Sequence, residues 1–169
     1  KIVMLKINLK KIILNSVIIS VIFLIDRVSK IYILKIAESG KTVDIYVAEY
    51  LNFYLIWNKG IAFGLFSFNE RFFYNVITCI IIAITTIILI MVINNVSFKR
   101  YSLILVFGGS LGNLFDRIYY SAVPDFIDFH INEYHWFVFN AADIFITIGV
   151  LCLILDEMFI NNKKNEKIK

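Results

Sequence analysis

The chain has 169 residues, of which 60% are hydrophobic and 18% charged, with a formal net charge of +4. A mean hydropathy of +0.79 excludes an ordinary soluble domain of this size and puts a membrane protein first. The pI near 9.0 does not indicate a nucleic-acid partner, because the lysines and arginines gather beside the apolar segments, where they set topology.

A bilayer-spanning helix needs about 20 mostly apolar residues. Four windows qualify, roughly Ile12 to Leu34, Phe72 to Ile93, Tyr101 to Ile118 and Phe139 to Ile160. Lys1, Lys6, Lys10 and Lys11 precede the first, so the start resembles a secretory signal. No small-residue cleavage site follows, and Asp26-Arg27 stands where one is expected, so the first span is read as retained. Asp26 and Lys30, four apart, share a helix face and form a structural polar pair in which each allows the other to be buried. The stretch 43–57, VDIYVAEYLNFYLIW, is rich in β-branched and aromatic residues and reads as one or two short strands at the membrane surface. It ends in WNKGIAFG (57–64), where Gly60 and Gly64 permit a tight turn. The second outer stretch, 119–138, is mixed, and Tyr119, Tyr120, Tyr134 and Trp136 are placed like an interfacial aromatic belt.

Lys99 and Arg100 sit between the second and third spans, and Lys163, Lys164, Lys167 and Lys169 follow the fourth. The stretch 36–70 holds only Lys41 and Lys59, and 119–138 holds no Lys or Arg. The positive-inside rule then puts both termini and the 94–100 link in the cytoplasm, with 36–71 and 119–138 outside. The expected fold class is a mainly α membrane protein, four transmembrane helices with a small extracytoplasmic β-rich cap. One domain covers 1–160, and 161–169 is a basic cytoplasmic tail expected to be disordered. Cys79 and Cys152 fall inside spans and read as small apolar residues.

The third span carries Gly108 and Gly112, a small-xxx-small face for close helix packing. Asn113, Asp116 and Arg117 follow on one face at its outer end, with Arg117 open to pairing with Asp116 or to offering its fork to a substrate carbonyl or lipid headgroup. Gly108 to Gly112 also matches G-x-S-x-G, but a nucleophile elbow needs a sharp strand-to-helix turn, and Ser110 lies inside an apolar helical run. Further along, Asp125 follows Pro124, the chain's only proline, and Asp143 opens the fourth span about one turn after Asn140. A carboxylate at membrane depth costs at least roughly 2.5–3.5 kcal/mol, so one that is kept there has a use. Asp128 rivals Asp125 within what reads as an external loop. Asp125 and Asp143 lie on the same outer side and bracket one reentrant segment. Brought together, they could not both ionise easily, and one would keep its proton. Such a pair offers a base to deprotonate water and an acid to protonate a carbonyl oxygen or leaving amine. His130, Glu133 and His135 with Asp128 lack the H-E-x-x-H spacing and further histidines, so no metal site is expected. A transporter and a purely structural membrane subunit are the other classes open to such a chain. A transporter would bring polar residues near the midplane and some repeat symmetry, and neither is visible.

In this order and on this topology, the motifs resemble the bacterial lipoprotein signal peptidases (signal peptidase II), four-span aspartic proteases of the plasma membrane. The similarity rests on DRVSK (26–30), NKGIAFG (58–64), GGSLGNLFDRI (108–118), VPDFIDF (123–129) and FNAADIFI (139–146). Carried over position by position, it implies that Asp125 and Asp143 are catalytic. It implies too that Asn58, Gly108, Asn113, Arg117, Asn140 and Ala142 position substrate or support the site. Ile61 stands where the family more often has a small residue, which bears on loop packing. The implied substrates are prolipoproteins whose lipobox cysteine carries diacylglycerol, cut just before that cysteine at the outer face of the inner membrane. A groove between the third and fourth spans, capped by the 43–64 strands, would hold them. The expected protein is a monomer in contact with membrane lipid, with no cofactor, metal or nucleic acid.

Overall fold

In the computed structural model the described residues are 9–40, 42–60, 71–95, 97, 99–131 and 134–166. The apolar runs form four helices, α1 (Leu9–Glu38), α2 (Arg71–Asn94), α3 (Lys99–Tyr120) and α4 (Ala141–Glu166). Among the described residues, α1 and α2 are the two helices long and apolar enough to cross a membrane by length and composition. Between the helices lie β1 (Asp44–Ala48), β2 (Leu51–Asn58), β3 (Val123–Ile131) and β4 (Tyr134–Phe139), one antiparallel sheet in the order β1-β2-β3-β4. The helices are inside-out relative to those of a water-soluble protein. Leu24 and Ile87 are 57% and 56% exposed, while Asp26, Lys30 and Asp116 are 0% exposed.

Helix α3 is the hub, packed against α1, α2 and α4. Ile22, Val92, Leu103, Ile104 and Phe107 make the core where α1, α2 and α3 meet. The close α1–α3 crossing depends on glycine: a Cβ on Gly108 would stand 2.9 Å from the Ile22 side chain, and one on Gly112 would stand 2.5 Å from Asp26 Oδ2. A second cluster, Ile33, Val43 and Phe126, fastens the sheet to the end of α1.

The stretch 119–138 is not a loop with a reentrant segment. It enters β3 and β4, and β3 runs antiparallel to β2 with Ile56 opposite Asp125 and Asn52 opposite Asp128. Its strand character is masked in sequence because Val123 to Phe126 are all buried, which erases the two-residue alternation of a half-exposed strand. The fourth helix begins at Ala141, since Phe139 completes β4. It continues through Glu166, so residues 161–166 are helical rather than disordered, in keeping with the helix-forming Lys and Glu among them. The turn after β2 is described as far as Gly60. Ile61 to Gly64, Glu133, Lys1 and Lys6 lie outside the described residues, as do the side chains of Tyr134, His135 and Trp136.

Candidate active site

The start of α4 is organised by two residues. Asn140 Oδ1 accepts the Asp143 backbone N–H at 3.2 Å, and Asp143 Oδ2 accepts the Asn140 N–H at 3.1 Å. This reciprocal capping satisfies helix-end donors and fixes the Asp143 side chain in the first turn. The Asn140 amide then reaches across to β3, where its Nδ2 donates to Asp125 Oδ1 at 2.6 Å. From the end of β2, Asn58 Nδ2 donates to Asp125 Oδ2 at 2.9 Å. From α3, Asn113 Nδ2 donates to Asp143 Oδ1 at 2.8 Å, and Asn113 Oδ1 accepts from Lys30 Nζ at 2.9 Å, which sets the amide's orientation. Three helices and two strands therefore converge on two carboxylates bridged by one asparagine.

Asp125 and Asp143 are 3% and 9% exposed, and neither has an ion-pair partner among the described residues. Burial pushes the Asp125 carboxyl up to about 7, and the nearby charge of Asp143 adds to that. The Asn140 and Asn58 hydrogen bonds and the charge of Lys30 act the other way and are outweighed. Asn58, Asn113, Arg117, Asp125, Asn140 and Asp143 all line one cavity of about 540 Å³. Asp128 is also buried but lines a different cavity with Asp44, Asn52 and Tyr54. The structure thus brings Asp125, and not Asp128, together with Asp143.

Arg117 does not pair with Asp116. Its Nη2 donates to the Gly60 carbonyl, and Gly60 N–H donates to Asn58 Oδ1 at 2.8 Å, so Arg117 and Asn58 together hold the chain leaving β2. Tyr74 from α2 donates to the Arg117 carbonyl at 3.0 Å. Arg117 Nε and Nη1 are buried without a hydrogen bond to any described residue. Asp116 instead accepts from Arg27 Nη2 at 2.8 Å and from Lys30 Nζ at 2.7 Å. With Asp26, which meets Lys30 at 2.8 Å and Arg27 at 2.9 Å, they form a buried quartet of two cations and two carboxylates. The Arg27 guanidinium also lies 4.8 Å from the centre of the Phe115 ring, a cation–π contact.

Two of the expected site residues support the cavity without lining it. Gly108 sits at the α1–α3 crossing, and the Ala142 N–H donates to Asp26 Oδ1 at 3.1 Å, tying α1 to the first turn of α4. Gly109, which no motif logic singles out, matters as well: a Cβ there would stand 2.5 Å from the Ala142 carbonyl oxygen. Arg27 carries a sequence signal only through its place in DRVSK; nothing in spacing predicts its bond to Asp116 from 89 residues away. Ser110 lies in mid-helix and lines the cavity with no strand-to-helix turn around it.

Residues 18–159 match the family model described as signal peptidase (SPase) II. The chain is 59% identical over 163 residues to the lipoprotein signal peptidase of Pelagibacter ubique, covering 96% of this chain and 98% of that one. It is 40% identical over 155 residues to the lipoprotein signal peptidase of Anaplasma phagocytophilum, covering 89% and 95%. Among solved structures it resembles a bacterial membrane enzyme determined in meso at 2.3 Å, with a TM-score of 0.69 and 31% identity over 92% of both chains. A second bacterial membrane enzyme, determined at 1.9 Å, matches with a TM-score of 0.64 and 30% identity over 84% of this chain and 90% of that one.

Proposed function

The chain belongs to the signal peptidase II family, membrane peptide hydrolases of the aspartic type acting on prolipoproteins, and from that premise we propose how its site works. Asp125 and Asp143 are the catalytic pair. The substrate is a diacylglyceryl-modified prolipoprotein, cut on the N-terminal side of the lipidated cysteine. All four helices span the inner membrane with both termini in the cytoplasm, and the sheet lies at the outer surface, where such a bond waits. The protein works as a monomer among membrane lipids.

The observation that carries this reading is the cavity in which two buried carboxylates, bridged by Asn140, meet only amide donors. With Asp125 pushed up to about 7, the pair retains one proton near neutral pH and titrates as a unit. The ionised member takes a proton from a water whose oxygen attacks the scissile carbonyl carbon. The protonated member donates to the carbonyl oxygen, giving a neutral gem-diol rather than an exposed oxyanion. Collapse breaks the C–N bond as a proton passes to the leaving amine, and the pair returns to its single-proton state. The unengaged donors of Arg117 hold a substrate backbone carbonyl, and Asn58 and Asn113 fix the two carboxylates. Purified protein in detergent, incubated with a diacylglyceryl-modified prolipoprotein, is expected to release the signal peptide, read as a mass loss. Absence of that loss with folded protein overturns the proposal.

A further inference from the structure

The cavity continues past the aspartates. Ser110 lies three residues before Asn113 on α3, and Thr147 lies four residues after Asp143 on α4. At about 1.5 Å of rise per residue, both hydroxyls are roughly one helical turn farther from the sheet than the carboxylates' neighbours. Thr85 lines the same cavity from α2. It is one of three buried positions on that helix, at 5% exposed, in a segment whose other faces are mostly open. Thr78 and Thr86 donate their hydroxyls to carbonyls one turn back at 2.9 and 2.8 Å, the usual arrangement for a helical threonine. The hydroxyls of Thr85, Ser110 and Thr147 make no hydrogen bond to another described residue. Around them the walls are apolar, including Ile84, Ile146 and Leu151.

Three hydroxyls from three helices, unengaged and walled by hydrocarbon, suit a ligand that carries carbonyl acceptors on an otherwise apolar body. Resting on the prolipoprotein reading, we propose that Thr85, Ser110 and Thr147 form a glycerolipid subsite, their hydroxyls donating to the ester carbonyls of the diacylglyceryl group. The chemistry fits the placement. The lipid hangs from the cysteine next to the scissile bond, and the β-carbon, sulfur and glycerol carbons span about one helical turn before the esters. The acyl chains then run on against the apolar walls. Ser110, set aside as a nucleophile, acquires a binding role.

Two synthetic prolipoprotein peptides test this, identical except that the cysteine carries either a diacylglyceryl group (esters) or a dialkylglyceryl group (ethers, without carbonyls). Wild type should prefer the ester substrate by about tenfold in kcat/KM, mostly through KM, the size expected of two or three neutral hydrogen bonds. In Thr85→Val/Ser110→Ala/Thr147→Val the ester-to-ether ratio should fall toward one, with partial falls in the single variants. The ratio is taken within one preparation, so it does not depend on the fraction folded. A wild-type ratio near one, or a ratio the variants leave intact, overturns the subsite while the peptidase reading stands. Failure of wild type to cleave either peptide overturns both.

Discussion

Asp26 and Asp116 are 0% exposed, and Asp125 and Asp143 are 3% and 9% exposed, so the molecule buries two pairs of carboxylates where the helices meet the sheet. Asp26 and Asp116 sit between Arg27 and Lys30, and two negative charges are balanced by two positive ones. Asp125 and Asp143 meet Asn58, Asn113 and Asn140, which orient them without neutralising them. A balanced quartet is a joint between helices. An amide-lined pair keeps a charge imbalance that only a proton can relieve, and that is what acid–base chemistry needs. The two are linked, because Lys30 holds the Asn113 amide that holds Asp143, and Asp26 accepts the N–H of Ala142 beside it.

Breaking the quartet should have the largest effect on folding. Asp116→Ala leaves Arg27 and Lys30 sharing one buried carboxylate, and removing one partner of a buried ion cluster costs about 3–5 kcal/mol. Thermal unfolding in detergent should show a large fall in Tm; a Tm within a degree or two of wild type would mean that the quartet is no joint. Next in size is Gly112→Ala, whose Cβ would meet Asp26 Oδ2 at 2.5 Å and push that carboxylate off Arg27 and Lys30 or α1 off α3. Overpacking of this kind costs about 1–3 kcal/mol, read from the same melts, and an unchanged Tm would contradict the close crossing.

The third effect is a pH dependence. Asp125 is raised to about 7, so the folded protein holds a proton that the unfolded chain has released. That contribution to stability is complete below about pH 4 and is lost as pH rises to about 7. Asp125→Asn removes it, so the variant should gain on wild type by about 2–3 kcal/mol between pH 5 and pH 8. Parallel stability curves for the two proteins across that range would show that Asp125 is not the titrating group.

Much of the architecture is legible in the chain because the bilayer imposes long apolar runs, and all four expected windows lie largely within helices. The strands at 44–58 are legible from their β-branched and aromatic content. The hairpin of β3 and β4 is not, since four consecutive buried residues at its start hide the alternation. Asp26 and Lys30 pair at spacing four, but Asp116, which sequence leaves open to Arg117, joins them instead, and that choice is made by helix packing across 86 residues. Choosing between Asp125 and Asp128 likewise needs the strand: they lie three apart on β3 and line separate cavities. The Asn140–Asp143 cap was within reach of local rules, because Asn three residues before an acidic residue is a helix-start signature.

The most direct test of the contrast between the two acid clusters is signal-peptide release from a diacylglyceryl-modified prolipoprotein, followed by mass, for Asp125→Asn and Asp143→Asn beside wild type. Each variant keeps the size of the side chain and removes its acid–base chemistry. Cleavage by wild type, with turnover reduced about 10³-fold or more in each variant that still unfolds cooperatively, is the expected result. Near-normal cleavage by either folded variant would contradict a two-aspartate site.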